Sequence, residues 1–246
     1  NGTQDVEALF GEKYFDFPKP VELIAYLIRL VTDDDSIILD FFSGSATTGQ
    51  AVMNVNAKDE GKRKFILVQI PEIIPDDNIA TKDGYKTLCD IGKERIKRAG
   101  VRIREEGKAN IDYGFRTFKL DSSNMKDIYY HPADIEQSQI EMFADNIKED
   151  RTPEDLLFQV MLDLGILLSS KIEEIEIAGK KVFNVADGFL IACFDKDVTD
   201  ETIKAVANMK PYYAVFRDSS MANDSVATNF DQIFANISPD TIRKVL

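Results

Sequence analysis

The stretch DFFSGSATTGQAV, Asp40–Val52, decides how the rest of the chain is read. Just before it, Ile37–Phe42 is apolar on both faces, the pattern of a strand inside a parallel sheet. Its middle is glycine and small hydroxyl residues, and residues 47–57 return to a helical pattern. Such a strand–loop–helix corner lets the backbone approach a nucleotide or nucleoside closely.

Three ligand types suit the corner. A phosphate-binding P-loop needs Gly-Lys-Ser/Thr after the turn, and here Thr48-Gly49-Gln50 offers no lysine, so that reading fails. A dinucleotide loop wants Gly-x-Gly-x-x-Gly, and Gly44, Ala46 and Gly49 give the weaker Gly-x-Ala-x-x-Gly. S-adenosylmethionine, a nucleoside with an amino-acid tail and no phosphate, fits more of the residues. Gly44 allows close approach, and Ser43, Ser45, Thr47 and Thr48 line the mouth with hydroxyls. Asp40 can take an ammonium group, and Glu72 lies just past the next strand, where a ribose-binding acid belongs. The alternative is a structural turn with Glu72 solvated.

The flanking segments alternate helix and strand. Pro18 and Pro20 open an amphipathic helix through Leu23, Ile24, Leu27, Ile28 and Val31. KFILVQI (64–70) reads as a second buried strand, Tyr85–Glu106 as a long helix and GFRTFKL (114–120) as a third strand, the order of a parallel α/β sheet. Residues 126–151 are polar and irregular and read as a linker between a first domain, 1–125, and a smaller α/β domain, 152–246. Thr152-Pro153-Glu154-Asp155 is a strong helix start, and Gly165 the stop. Strands are expected near 172–177, 181–185, 189–194, 212–216 and 242–246, with helices starting at Thr199 and near 222.

Composition bounds these readings. Of 246 residues, 44% are hydrophobic and 30% charged, which suits packed domains and argues against disorder. No apolar run is long enough to span a membrane, and NGTQDVEALF is not a signal peptide. Cys89 and Cys193 lie far apart, there is one histidine, His131, and no CxxC. The expectation is a reducing, cytoplasmic setting with no metal site and no membrane partner. A net charge of −13 argues against a nucleic-acid surface within this segment.

Several segments together resemble the DNA amino-methyltransferases. Asp40–Thr48 is similar to their Asp-x-Phe-x-Gly-x-Gly/Ala-Thr-Thr motif, with Ala46 where the broader pattern prefers glycine. FDFPKPVELIAYLI (15–28) resembles the motif that precedes it in the permuted class, and FILVQIPE resembles the second-strand motif ending in the ribose acid. With CDIGKERIKRAG, GFRTFKLDSSN, FLIACFD and VFRDSSMANDSV, the likeness extends to the C-terminal part of modification subunits of type III restriction–modification systems. That resemblance implies a partial Rossmann-like methyltransferase sheet followed by the smaller α/β domain. It also implies S-adenosylmethionine as cofactor, held by Phe15, Phe17, Pro18, Lys19, Asp40, Phe42, Ser43, Gly44, Ser45, Thr47, Thr48 and Glu72.

The family's base-binding loop is Asp/Asn-Pro-Pro-Tyr/Phe, and this sequence contains no Pro-Pro pair. In the permuted class that loop and the recognition region precede the segment seen here. The non-Met start then reads as that of a fragment without catalytic residues of its own, which meets duplex DNA mainly through the missing half. A restriction subunit is the implied partner. An apolar strand edge at Ile37–Phe42, lacking its neighbour, gives the expectation of a homodimer. A nicotinamide-dependent oxidoreductase and a non-catalytic assembly module are the rival readings.

Overall fold

The computed structural model describes residues 1–107, 110–126, 146–217, 219 and 221–246. They divide into two compact units, Asn1–Phe118 and Lys119–Leu246, of comparable length. Most of the expected linker (127–145), His131 included, lies outside the described residues.

The first unit opens with a helix that the sequence reading did not include. In α1 (Gly2–Phe10) the Asn1 side chain accepts from Gln4 N and the Gln4 side chain reaches back, a reciprocal cap. Gly2 packs so closely on the next segment that a Cβ would fall 1.8 Å from the Pro18 carbonyl oxygen. Asp5 Oδ2 accepts from Val21 N at 2.9 Å. Val21 begins α2 (Val21–Val31), whose N-cap Pro20 has no side-chain acceptor to offer. Asp5 thus supplies the missing cap, and α1 fixes the path of residues 15–20.

β1 (Ile37–Asp40) and β2 (Lys64–Leu67) pair in parallel, Ile37 opposite Lys64 and Asp40 opposite Leu67. Both strands stop short of the apolar runs that announce them. At β1 the reason is local: Asp40 Oδ1 accepts from Phe42 N at 3.2 Å and bends the chain out of the ladder. Between the strands runs α3 (Thr47–Asp59), which buries Ala51, Val52 and Val55 against Val21, Ala25 and Ile28 of α2. A short α4 (Ile79–Lys82) and the long α5 (Leu88–Gly107) follow. Ile38, Phe65 and Leu67 face this helical layer. Ile37, Leu39 and Ile66 on the opposite face stay exposed.

The third strand expected at 114–120 is not formed: those residues carry no ladder, and Leu120 is 99% exposed. Their alternation supplies a face, but a strand needs a partner, and the sheet of this unit is two-stranded among the described residues. Phe115 instead packs on the Ile96–Ala99 side of α5.

The second unit follows its expected order. α6 (Pro153–Asp163) begins with Thr152 accepting from Asp155 N while Asp155 reaches back to Thr152 N. Then come β3 (Ile172–Ile177), β4 (Lys180–Val185), β5 (Leu190–Cys193), α7 (Asp200–Asn208), β6 (Tyr213–Phe216), α8 (Asp224–Ile237) and β7 (Ile242–Val245). They form one sheet in the order β3-β4-β5-β6-β7, antiparallel up to β5 and parallel beyond it. Ala178 and Gly179, both at positive φ, make the tight β3–β4 turn. α7 and α8 cover one sheet face through Ile203, Val206 and Phe234, and α6 covers the other through Leu157 and Met161. The chain is therefore an α/β protein with one parallel and one mixed sheet.

Candidate functional site

The loop after β1 is stitched at every turn. Ser43 N donates to Val68 O at 3.1 Å, and Ala46 N to Ser43 O at 2.7 Å. Gly44 N donates to Gln69 Oε1 at 2.7 Å. Asp40, at the end of β1, accepts from Phe42 N on one oxygen and from Thr48 Oγ1, at 2.5 Å, on the other. Gly44 and Ala46 both sit at positive φ, 50° and 61°. The ring of Phe15 lies against Gly44, where a Cβ would approach its Cζ to 3.2 Å. The loop delivers the chain into α3 with Ala46 at the N-cap and no side-chain cap on the first amides, so that end offers donors and partial positive charge.

Beneath the loop lies a residue that the sequence reading passed over. Arg95 of α5 is fully buried. Its Nη1 donates to Ser45 Oγ at 2.7 Å and Thr47 Oγ1 at 2.8 Å, with the Ser45 carbonyl at 3.4 Å. Its Nε donates to Gln50 Oε1 at 2.8 Å. Nη2 is buried without a partner. Burial pulls the guanidinium down to about 10, opposed by the negative charge of Asp5. KERIKRAG reads as a solvated charged run, yet Arg95 stands four residues from both Ile91 and Ala99, on the apolar stripe of the helix. That spacing was the available signal. Gln69 and Gln50 carried none.

The structure brings Asp40, Ser43, Gly44, Ser45, Thr47 and Thr48 together in one loop, with Phe15 against it. Pro18 is buried beside the start of α1. Phe17, at φ 54°, is 91% exposed, and Phe42 is 80% exposed. Lys19 and Glu72 also stand in solvent. Glu72 is held at its backbone, where its carbonyl accepts from Leu88 N at the start of α5. An open groove of about 320 Å³ runs beside β1, lined by Leu27, Val31, Leu39 and Phe41, with Asp40 and Thr48 also in its wall. No cluster able to hold a metal ion occurs among the described residues. Nor is any of their helices long and apolar enough to cross a membrane. Cys193 is buried, its thiol pushed up to about 11 by desolvation, which leaves it unreactive at neutral pH.

The chain is similar to known proteins over much of its length. Residues 1–101 match the DNA methylase family. The chain is 43% identical over 120 residues to the StyLTI Mod subunit of a type III restriction–modification enzyme from Salmonella typhimurium, covering 48% of this chain and 18% of that protein. It is 34% identical over 209 residues to the EcoP15I Mod subunit of Escherichia coli, covering 83% and 30%. The EcoPI Mod subunit of Escherichia phage P1 is 31% identical over 207 residues, covering 83% and 31%. The chain thus spans less than a third of the length of each of these relatives. Its loop after β1 lies within the matched DNA methylase segment, and over 83% of its length the chain is similar to modification subunits of type III restriction–modification enzymes.

Proposed function

We propose that this chain is the cofactor-holding part of a DNA adenine-N6 methyltransferase of a type III restriction–modification system, with S-adenosylmethionine bound at the β1–α3 loop. The observation that carries the reading is the loop itself. A strand-ending acid, a glycine at φ 50° and an uncapped helix N-terminus sit together on the segment that matches a DNA methylase. The unpartnered Nη2 of Arg95 beneath it fits a ligand that brings a negative group.

The cofactor supplies an electrophilic methyl group. The chain's part is to hold it: Asp40 for the ammonium group, the α3 end for the carboxylate, Glu72 for the ribose hydroxyls, and Phe15, Phe17, Pro18 and Lys19 as the wall closing over the loop. Contacts to a flipped adenine are assigned to a Pro-Pro loop carried elsewhere in a longer protein, because this sequence has none. By itself the chain is then catalytically silent. In the same reading the cytoplasmic whole protein acts on duplex DNA, partners a restriction subunit and pairs with a second copy of itself.

Calorimetric titration with S-adenosylhomocysteine, and separately with NAD, tests the proposal. Binding of the former that vanishes in Asp40→Ala is the expected result. NAD binding alone points to an oxidoreductase and overturns it. Binding of neither leaves a non-catalytic assembly module, the reading that the charge of −13 favours.

A further inference from the structure

Arg95 heads the fully buried side chains by volume, and it is a cation. A buried charge is tolerated when an opposite charge pairs with it. Arg95 has neutral acceptors only: two hydroxyls, a carbonyl and an amide oxygen. No carboxylate forms an ion pair with it among the described residues, and Nη2 makes no hydrogen bond. Packing alone does not account for this choice, since Ile91 and Ala99, one turn away on either side, fill the same stripe with apolar groups.

The same guanidinium donates to Thr47, the first residue of α3, whose N-terminus has no side-chain cap. A helix end short of an acceptor therefore coincides with a buried cation short of an anion. A single carboxylate on the loop would answer the first directly and the second through its charge, since Arg95 itself is sealed from solvent.

We propose that Arg95 is a positioning residue that makes the β1–α3 loop selective for ligands carrying an amino-acid carboxylate. It does so through Ser45 and Thr47, which it holds in register, and through its charge, which adds to that of the α3 N-terminus. The inference rests on the cofactor reading above and adds what distinguishes that cofactor's tail from a bare nucleoside.

The test is the affinity of the 246-residue chain for three ligands: S-adenosylhomocysteine, its decarboxylated analogue and 5′-methylthioadenosine, which lacks the tail. In the unaltered chain, removing the carboxylate should weaken binding about tenfold or more. Arg95→Met should weaken S-adenosylhomocysteine by a similar factor and leave 5′-methylthioadenosine unchanged, while Arg95→Lys recovers much of the loss. If Arg95→Met does not fold, Arg95→Gln takes its place; the ligand comparison on the unaltered chain can overturn the proposal without either variant, and a variant assigns the effect to Arg95. Equal weakening of all three ligands would make Arg95 a structural clamp and overturn the proposal, as would indifference to the carboxylate. Failure of the unaltered chain to bind S-adenosylhomocysteine overturns the proposed function itself, and this inference with it.

Discussion

Both oxygens of Asp40 are occupied by its own loop, by Phe42 N and Thr48 Oγ1, so the acid shapes the loop whether or not it meets a ligand. Two small residues beside it are each expected to lose stability on exchange, for different reasons. Gly44 has φ 50°, and an added Cβ would press on the half-buried Phe15 ring at 3.2 Å. The ring has room to give, so the backbone dominates. Gly44→Ala should cost the first unit about 1 kcal/mol in urea unfolding, and Phe15→Ala in that background should return only the smaller steric part. Ala46 already bears the left-handed conformation with a side chain, at φ 61° and 2% exposed. Ala46→Gly relieves about 1 kcal/mol of strain but gives up a buried methyl worth about 0.8 kcal/mol and loosens the unfolded chain. The expected balance is a loss of about 1 kcal/mol or less by the same measurement. Most of the loop was legible because its residues are chosen for backbone shape, which a sequence displays directly. Arg95 was not, because a buried arginine and a solvated one are spelled alike, and only its spacing from Ile91 and Ala99 separates them.

Elements declared themselves where their ends carry chemistry. Thr152-Pro153-Glu154-Asp155 announces α6, and the reciprocal Thr152–Asp155 cap forms as that spelling requires. Thr152→Ala should cost about 1 kcal/mol, read as a shift in the denaturant midpoint of the second unit. α1 was missed although Asn1 and Gln4 form the same kind of cap, because its short apolar pattern of Val6, Leu9 and Phe10 gave the periodicity little to work on. The missing third strand shows the converse, since residues 114–120 have the alternation and lack a neighbour. The start of α6 also fixes a pH response. Lys181 Nζ meets Glu154 Oε1 at 2.5 Å and Glu174 Oε2 at 3.0 Å. Hydrogen bonding to Lys181 holds Glu154 below its ordinary 4.5, so its contribution is present above pH 4.5 and is lost as the pH falls below it. The carboxylates raise Lys181 above its ordinary 10.5, so its share is present below that pH and is lost as the pH climbs past. These groups are a third or more exposed, which limits the pair to less than about 1 kcal/mol. The midpoint difference between the unaltered chain and Lys181→Met should be flat between those limits and shrink outside them.

At the scale of the molecule, the two sheets treat their surroundings differently. The five-stranded sheet is covered on both faces, and its border strands carry charge, with Glu173, Glu174 and Glu176 on β3 and Arg243 and Lys244 on β7. Such borders resist pairing with another chain. The β1–β2 sheet has no such protection: Ile37 is 52%, Leu39 59% and Ile66 52% exposed on its bare face. That face is the expected site of self-association, and sedimentation velocity across a concentration series should show a species heavier than the monomer. Leu39→Thr with Ile66→Thr should restore the monomer without lowering the stability of the first unit, because neither side chain is buried there. Sedimentation as a monomer at every concentration would remove the face as an interface. Joined by oil-like contact rather than by charge, such assemblies would answer to the thermometer more than to the salt bottle: chilling weakens apolar association. Complexes formed on warming should come apart in the cold, and a preparation handled on ice would look simpler than the protein at growth temperature.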